Sequence, residues 1–163
     1  MENYHIDLSI RLFDKGTTGI ACVEAITKKH NGCALSNCLK KFIDKTLCIH
    51  SIREEHAKLY AICIYYLIRN NLENIRTLII CNDEEFNYVR EYLYLLLNDH
   101  IYSFNIISIK EFQKKLGRNV KSLADNFAKS YRKRGLKINK WSKGKKLDVV
   151  EIEMLNGYPS TIC

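Results

Sequence analysis

The sequence predicts an α/β domain on three observations: strict alternation over residues 4–12, three extended segments before any helix, and then a regular exchange of helical and strand-like patterns. In the first segment Tyr4, Ile6, Leu8, Ile10 and Leu12 fall on one side. His5, Asp7, Ser9 and Arg11 fall on the other, which is the period of a half-buried strand. Asp14-Lys15-Gly16 supplies turn chemistry, and Gly19 to Thr27 reads as a second strand of branched and small residues. Asn31-Gly32 predicts a type I′ hairpin turn, because both residues tolerate positive φ. A third strand is then expected from Cys33 to Leu39, completing an antiparallel meander.

Between Glu54 and Ile68 the period changes. Ala57, Tyr60, Ala61, Ile64, Leu67 and Ile68 form a helical stripe, with Arg53, Glu54, Glu55 and Lys58 outside most of it. Thr77 to Cys81 is continuously apolar, as a central strand covered on both faces should be, and it ends at Asn82-Asp83. Glu84 to Leu97 reads as a helix and Phe104 to Ile109 as a fifth strand, followed by a basic connector. A final helix is predicted from Asn119 to Arg134, with Val120, Leu123, Ala124, Phe127, Ala128 and Tyr131 on its apolar face and Gly135 as its stop. Asp125 lies off that stripe. Beyond it comes a basic stretch with a candidate edge strand, Leu147 to Met154.

A chain of 163 residues, 47% hydrophobic and 27% charged, has the length and composition of one compact domain, which excludes collagen-like, low-complexity and wholly disordered architectures. The longest apolar run, Leu59 to Ile68, is too short to cross a bilayer. The start Met-Glu-Asn-Tyr-His carries neither a basic nor an apolar signal region, so a cytoplasmic location is expected. Seven cysteines are an odd number, and Cys22, Cys63 and Cys81 sit in apolar runs where free thiols act as small hydrophobes. His30, Cys33, Cys38, Cys48 and His50 lie close in sequence but lack the paired spacing of a zinc site.

The formal charge of +8 is local. Residues 110–146 hold fourteen Lys/Arg against Glu111 and Asp125, a surplus of +12, so the rest of the chain carries −4. Such a concentration attracts polyanions, and nucleic acid is the expected partner, with no membrane span. The candidate contacts are Lys114, Lys115, Arg118, Lys121, Arg132, Lys133 and Arg134, with Trp141 placed for stacking. Tyr65, Tyr66, Tyr88, Tyr92 and Tyr94 have helical spacing and read mainly as packing residues, and His5 as a hydrogen-bonded structural histidine.

Three aspartates stand at telling places in the order β-β-β-α-β-α-β-α: Asp7 within the first strand, Asp83 at the end of the fourth, and Asp125 in the last helix. The local sequences are Asp7-Leu8-Ser9, Asn82-Asp83 and Leu123-Ala124-Asp125-Asn126-Phe127-Ala128. In this the chain resembles the type 1 ribonuclease H-like family across residues 1–135, leaving 136–163 as a basic C-terminal extension. The resemblance implies a mixed five-stranded sheet, an antiparallel meander plus two parallel strands, flanked by helices. It also implies two-metal-ion hydrolysis of phosphodiester bonds, with RNA–DNA hybrid or another duplex as substrate and Asp7, Asp83 and Asp125 as catalytic metal ligands. Their hard oxygens suit Mg2+ or Mn2+.

Two departures qualify that expectation. The family's fourth carboxylate comes from an Ala-Glu-Leu-x-Ala pattern, and here Ala57-Lys58-Leu59-Tyr60-Ala61 stands in its place. Glu54 or Glu55, about one turn earlier, could substitute as a catalytic carboxylate. Alternatively the Lys58 ammonium could sit among the aspartates as a built-in cation, giving a catalytically silent domain for nucleic-acid binding or complex assembly. The segment from Phe104 to Asp125 also lacks the family's loop histidine, and Leu8 replaces a glycine. A junction- or DNA-cleaving relative would use the same carboxylates on another substrate.

Overall fold

The computed structural model describes residues 1–46, 51–98 and 104–141. Five strands form one mixed sheet in the order β3-β2-β1-β4-β5: β1 Glu2–Leu8, β2 Thr18–Glu24, β3 His30–Leu35, β4 Ile75–Ile80 and β5 Asn105–Ser108. The pairs β1–β2 and β2–β3 are antiparallel, whereas β1–β4 and β4–β5 are parallel. The helices are α1 Asn37–Thr46, α2 Ile52–Ile68, α3 Phe86–Leu97, α4 Ile109–Leu116 and α5 Asp125–Trp141. No helix among the described residues is long and apolar enough to cross a membrane.

Alternation along the strands divides the core between two faces. Ile6, Leu8, Ile20, Cys22, Leu78, Ile80 and Ile106 pack with α2 and α3 in the larger cluster. Ala21 and Val23 point the other way, against Ala124 and Ala128 at the start of α5. Asp7 shares that second side of β1 by its odd position, so the face carrying the functional candidates is the one α5 covers.

Helix α5 lies close to the sheet because β2 offers a glycine beneath it. A Cβ on Gly19 would stand 2.1 Å from the Ala128 carbonyl and 2.4 Å from the Arg132 nitrogen. Gly135 was expected to stop this helix, but α5 runs through it to Trp141, and a Cβ there would meet that of Ala34 at 2.5 Å. Its lack of a side chain serves close approach. The boundary expected at residue 135 thus falls inside a helix.

Other elements differ from expectation for identifiable reasons. Strand β1 ends at Leu8, and after a last backbone bond from the Ser9 nitrogen to the Gly19 carbonyl at 2.9 Å the chain leaves the sheet until Thr18. Asn31-Gly32 is no turn: both lie inside β3, paired with Cys22 and Ala21, and the Tyr131 ring covers Gly32. The actual turn spans Ala25–Lys28, with Lys28 left-handed at φ 60°. Residues after Leu35 form α1 instead of extending the third strand. The basic connector after β5 is helix α4, opened by a capping box in which Ser108 and Glu111 bond each other's backbone nitrogens. The last helix starts at Asp125 instead of Asn119, so Asp125 occupies its first turn. The candidate edge strand over 147–154 lies outside the described residues, as do Cys48, His50 and the side chain of Trp141.

Candidate metal centre and its cleft

The parallel pairing of β1 with β4 gathers the first two aspartates. Ile6 aligns with Ile80, and the Cys81 nitrogen donates to the Ile6 carbonyl at 3.0 Å, so the chain leaving β4 passes beside Asp7. One ligand atom each from Asp7, Cys81 and Asp83 lies within 4.8 Å of the others. Asp125, brought in by α5, lines the same cleft of about 920 Å³. The three aspartates singled out in the sequence therefore share one concavity.

Their electrostatics follow from burial and crowding. Asp7 is 7% exposed, and its Oδ1 accepts from the Leu8 nitrogen at 2.8 Å. Burial pushes its carboxyl above the usual range; hydrogen bonds from Cys81, Ser122 and Leu8 oppose that rise, and the Asp83 charge adds to it. Asp83 opens to solvent on one side, yet desolvation of the rest raises it too. The Cys81 hydrogen bond and the Arg11 guanidinium counter this, whereas Glu84 and Asp125 reinforce it. Cys81 is held well above its ordinary range, by burial first and then by the two aspartates, and stays a thiol. It also hydrogen-bonds the buried Tyr60 hydroxyl at 3.2 Å.

Helix α2 contributes differently from expectation. Glu54 accepts from the Tyr92 hydroxyl of α3, Glu55 is buried, and neither lines the cleft. Lys58 is buried, with its ammonium 5.7 Å from the centre of the Tyr92 ring, so it faces α3 and lies outside the aspartate cleft. The residues α2 does bring near Asp83 are Arg53 and His56, in an adjoining cleft that also touches Arg11 and Asp14. There Glu84 accepts from the Leu12 nitrogen at 2.9 Å and lies 3.6 Å from His56 Nδ1, and the His56 ring stacks on Phe13. This clamp fixes residues 11–14 beside Asp83. Lys40 strengthens it from α1, donating to the Asp14 carbonyl at 2.8 Å and to the Thr18 hydroxyl at 3.0 Å. Burial lowers the Lys40 ammonium to about 8.

Of the basic residues expected at a nucleic-acid surface, Lys121 lines the aspartate cleft. Lys114 and Lys115 occupy the exposed last turn of α4, and Arg118, Lys133 and Arg134 are also exposed. Arg132 is half-buried, and its Nε has no hydrogen-bond partner among the described residues. Sequence reasoning missed Lys110, Lys129 and Arg11, which also line the cleft, and Cys81. Lys129 was legible as the residue four positions after Asp125; Arg11 was not, because an irregular loop carries it. His5, expected on the polar face as a hydrogen-bonded histidine, is buried; its Nδ1 lacks a hydrogen bond among the described residues, and its ring meets Phe112 edge-on. That uncompensated burial lowers the imidazole to about 4.

No protein-family model, curated protein or solved structure matches this chain.

Proposed function

We propose that the chain is a metal-dependent nuclease with a ribonuclease H-like fold, hydrolysing phosphodiester bonds, with the RNA strand of an RNA–DNA hybrid as its substrate class by resemblance. One observation carries the reading: three aspartates separated by 76 and 42 residues, from two strand ends and a helix start, line a single cleft. The sheet order β3-β2-β1-β4-β5, with its antiparallel and parallel halves, supports it.

The donor set fits hard divalent cations. Burial first, and neighbouring acidic charges second, raise the Asp7 and Asp83 carboxyls, a cost that a cation among them would offset. Bound there, two ions of Mg2+ or Mn2+ would supply an activated water and stabilise charge on the leaving oxygen. Asp7, Asp83 and Asp125 would hold them. Cys81 and Ser122 orient Asp7 by hydrogen bonding, and Lys110 and Lys121 offer ammonium groups to phosphate oxygens at the cleft wall.

A second reading, a catalytically silent domain that binds nucleic acid, is favoured by the displacement of Glu54 and Glu55, which leaves no carboxylate of α2 in the cleft, where Asp14 of the β1–β2 connection joins Asp7, Asp83 and Asp125. Cleavage of a labelled RNA–DNA hybrid with Mg2+ or Mn2+ decides between them. The nuclease reading expects cutting by the wild type and at least a hundredfold loss in Asp83→Asn. Equal cutting by both refutes the site, and binding without cutting by either supports the silent domain.

A further inference from the structure

The cleft contains a cation of its own. Lys129, one turn after Asp125 on α5, places its Nζ 2.7 Å from Asp125 Oδ2, and both residues line the cleft. The Lys129 side chain is 53% exposed and that of Asp125 38%, so solvent weakens the pair and a stronger partner displaces it readily. The ammonium is a single flexible point charge, able to leave one oxygen for another a few ångströms away. Lys110 and Lys121 line the same cleft, so a polyanion seated in it meets three ammonium groups.

We propose that Lys129 is a place-holder cation: it neutralises Asp125 while no metal is bound, and it transfers to a phosphate of the nucleic-acid strand when a divalent ion takes its place. The inference rests on the nuclease reading of the cleft and adds a regulatory device to it. Arg11, whose charge acts on Asp83 from the β1–β2 connection, would play the same part toward that aspartate. A divalent ion must evict the ammonium from Asp125, and the freed ammonium then favours the strand. Metal and nucleic acid therefore strengthen one another's binding, by the same factor in each direction.

The test uses the full-length protein. Mn2+ binding is followed by calorimetry without nucleic acid, and binding of a fluorescent RNA–DNA hybrid is followed by anisotropy in Ca2+. Relative to wild type, Lys129→Gln should bind Mn2+ about two- to fivefold more tightly and the hybrid about two- to fivefold more weakly. Lys41→Gln, which removes an exposed charge on α1 away from the cleft, controls for net charge and should move neither by as much. These opposite shifts are not expected of a lysine that only caps or solubilises the helix. Unchanged Mn2+ affinity in Lys129→Gln, with metal binding still abolished by Asp83→Asn, overturns the place-holder and leaves the metal centre standing. Failure of the wild type to bind Mn2+ overturns both.

Discussion

Replacing Asp83 by Asn should stabilise the metal-free protein while removing its response to metal. Its carboxylate shares a space 4.8 Å across with that of Asp7. At that separation the mutual repulsion is about 1 kcal/mol in a water-like dielectric and about 3.5 kcal/mol at an effective constant of 20. Because Asp83 opens to solvent, the lower part of that range applies, about 1–2 kcal/mol. For a chain of this size that raises the melting temperature by about 2–8 °C in EDTA. The sign also fixes a pH dependence. Both carboxyls lie above their usual values, so the folded protein holds these protons more tightly than the unfolded chain. That contribution is complete below the unfolded carboxylate value of about 4 and disappears as pH rises through the raised folded values, so the advantage of Asp83→Asn should shrink as pH falls toward about 4. Saturating Mn2+ should reverse the order, since an ion at a hundredfold its Kd adds about 2.7 kcal/mol to the wild type alone. Thermal melts by circular dichroism in EDTA and in Mn2+ measure both effects. A variant no more stable than wild type in EDTA, or an equal Mn2+ shift in both, would refute the reasoning.

Three further substitutions probe how the site is assembled. Gly19→Val should cost about 3 kcal/mol or more by denaturant unfolding and loosen α5, because its side chain would enter the Ala128 and Arg132 backbone; a cost under 1 kcal/mol would mean that the helix is not seated as described. Glu84→Ala strips the buried Leu12 nitrogen of its acceptor and should cost about 1–3 kcal/mol, with a fall in hybrid affinity as Arg11 loses its support; unaltered stability would remove the clamp from the account. Lys58→Glu should destabilise by about 2 kcal/mol or more without creating or raising nuclease activity, because the position is buried and faces Tyr92 instead of the cleft. A gain of cleavage in that variant would return Lys58 to the site.

The sheet was legible because its strands rest on local patterns, an alternating first strand and a continuously apolar fourth, whereas the convergence of Asp7, Asp83 and Asp125 was implied only by the family resemblance, and the helix holding Asp125 begins at that residue instead of at Asn119. The orientation of α2 was not. From Leu59 to Ile64 it is buried all round, between sheet and α3, so hydrophobic periodicity gives no reliable phase, and Lys58 could not be assigned a direction. Asn31-Gly32 misled because the same dipeptide serves a turn or close packing, and Tyr131, distant in sequence, decides for packing. Helix α4 did carry a signal, the Ser108 to Glu111 capping box, which its lysine-rich composition obscured. Arg11, Cys81 and the Glu84–His56 clamp depend on tertiary proximity alone.

Crystals of the full-length protein grown with Mn2+, read by anomalous scattering, test the central claim most directly. The account predicts a peak about 2–2.6 Å from carboxylate oxygens of Asp7 and Asp83, with the Asp125 carboxylate turned toward the same cluster and released from Lys129. A cleft without an anomalous peak at saturating Mn2+, or an ion held only by residues elsewhere on the surface, would contradict it.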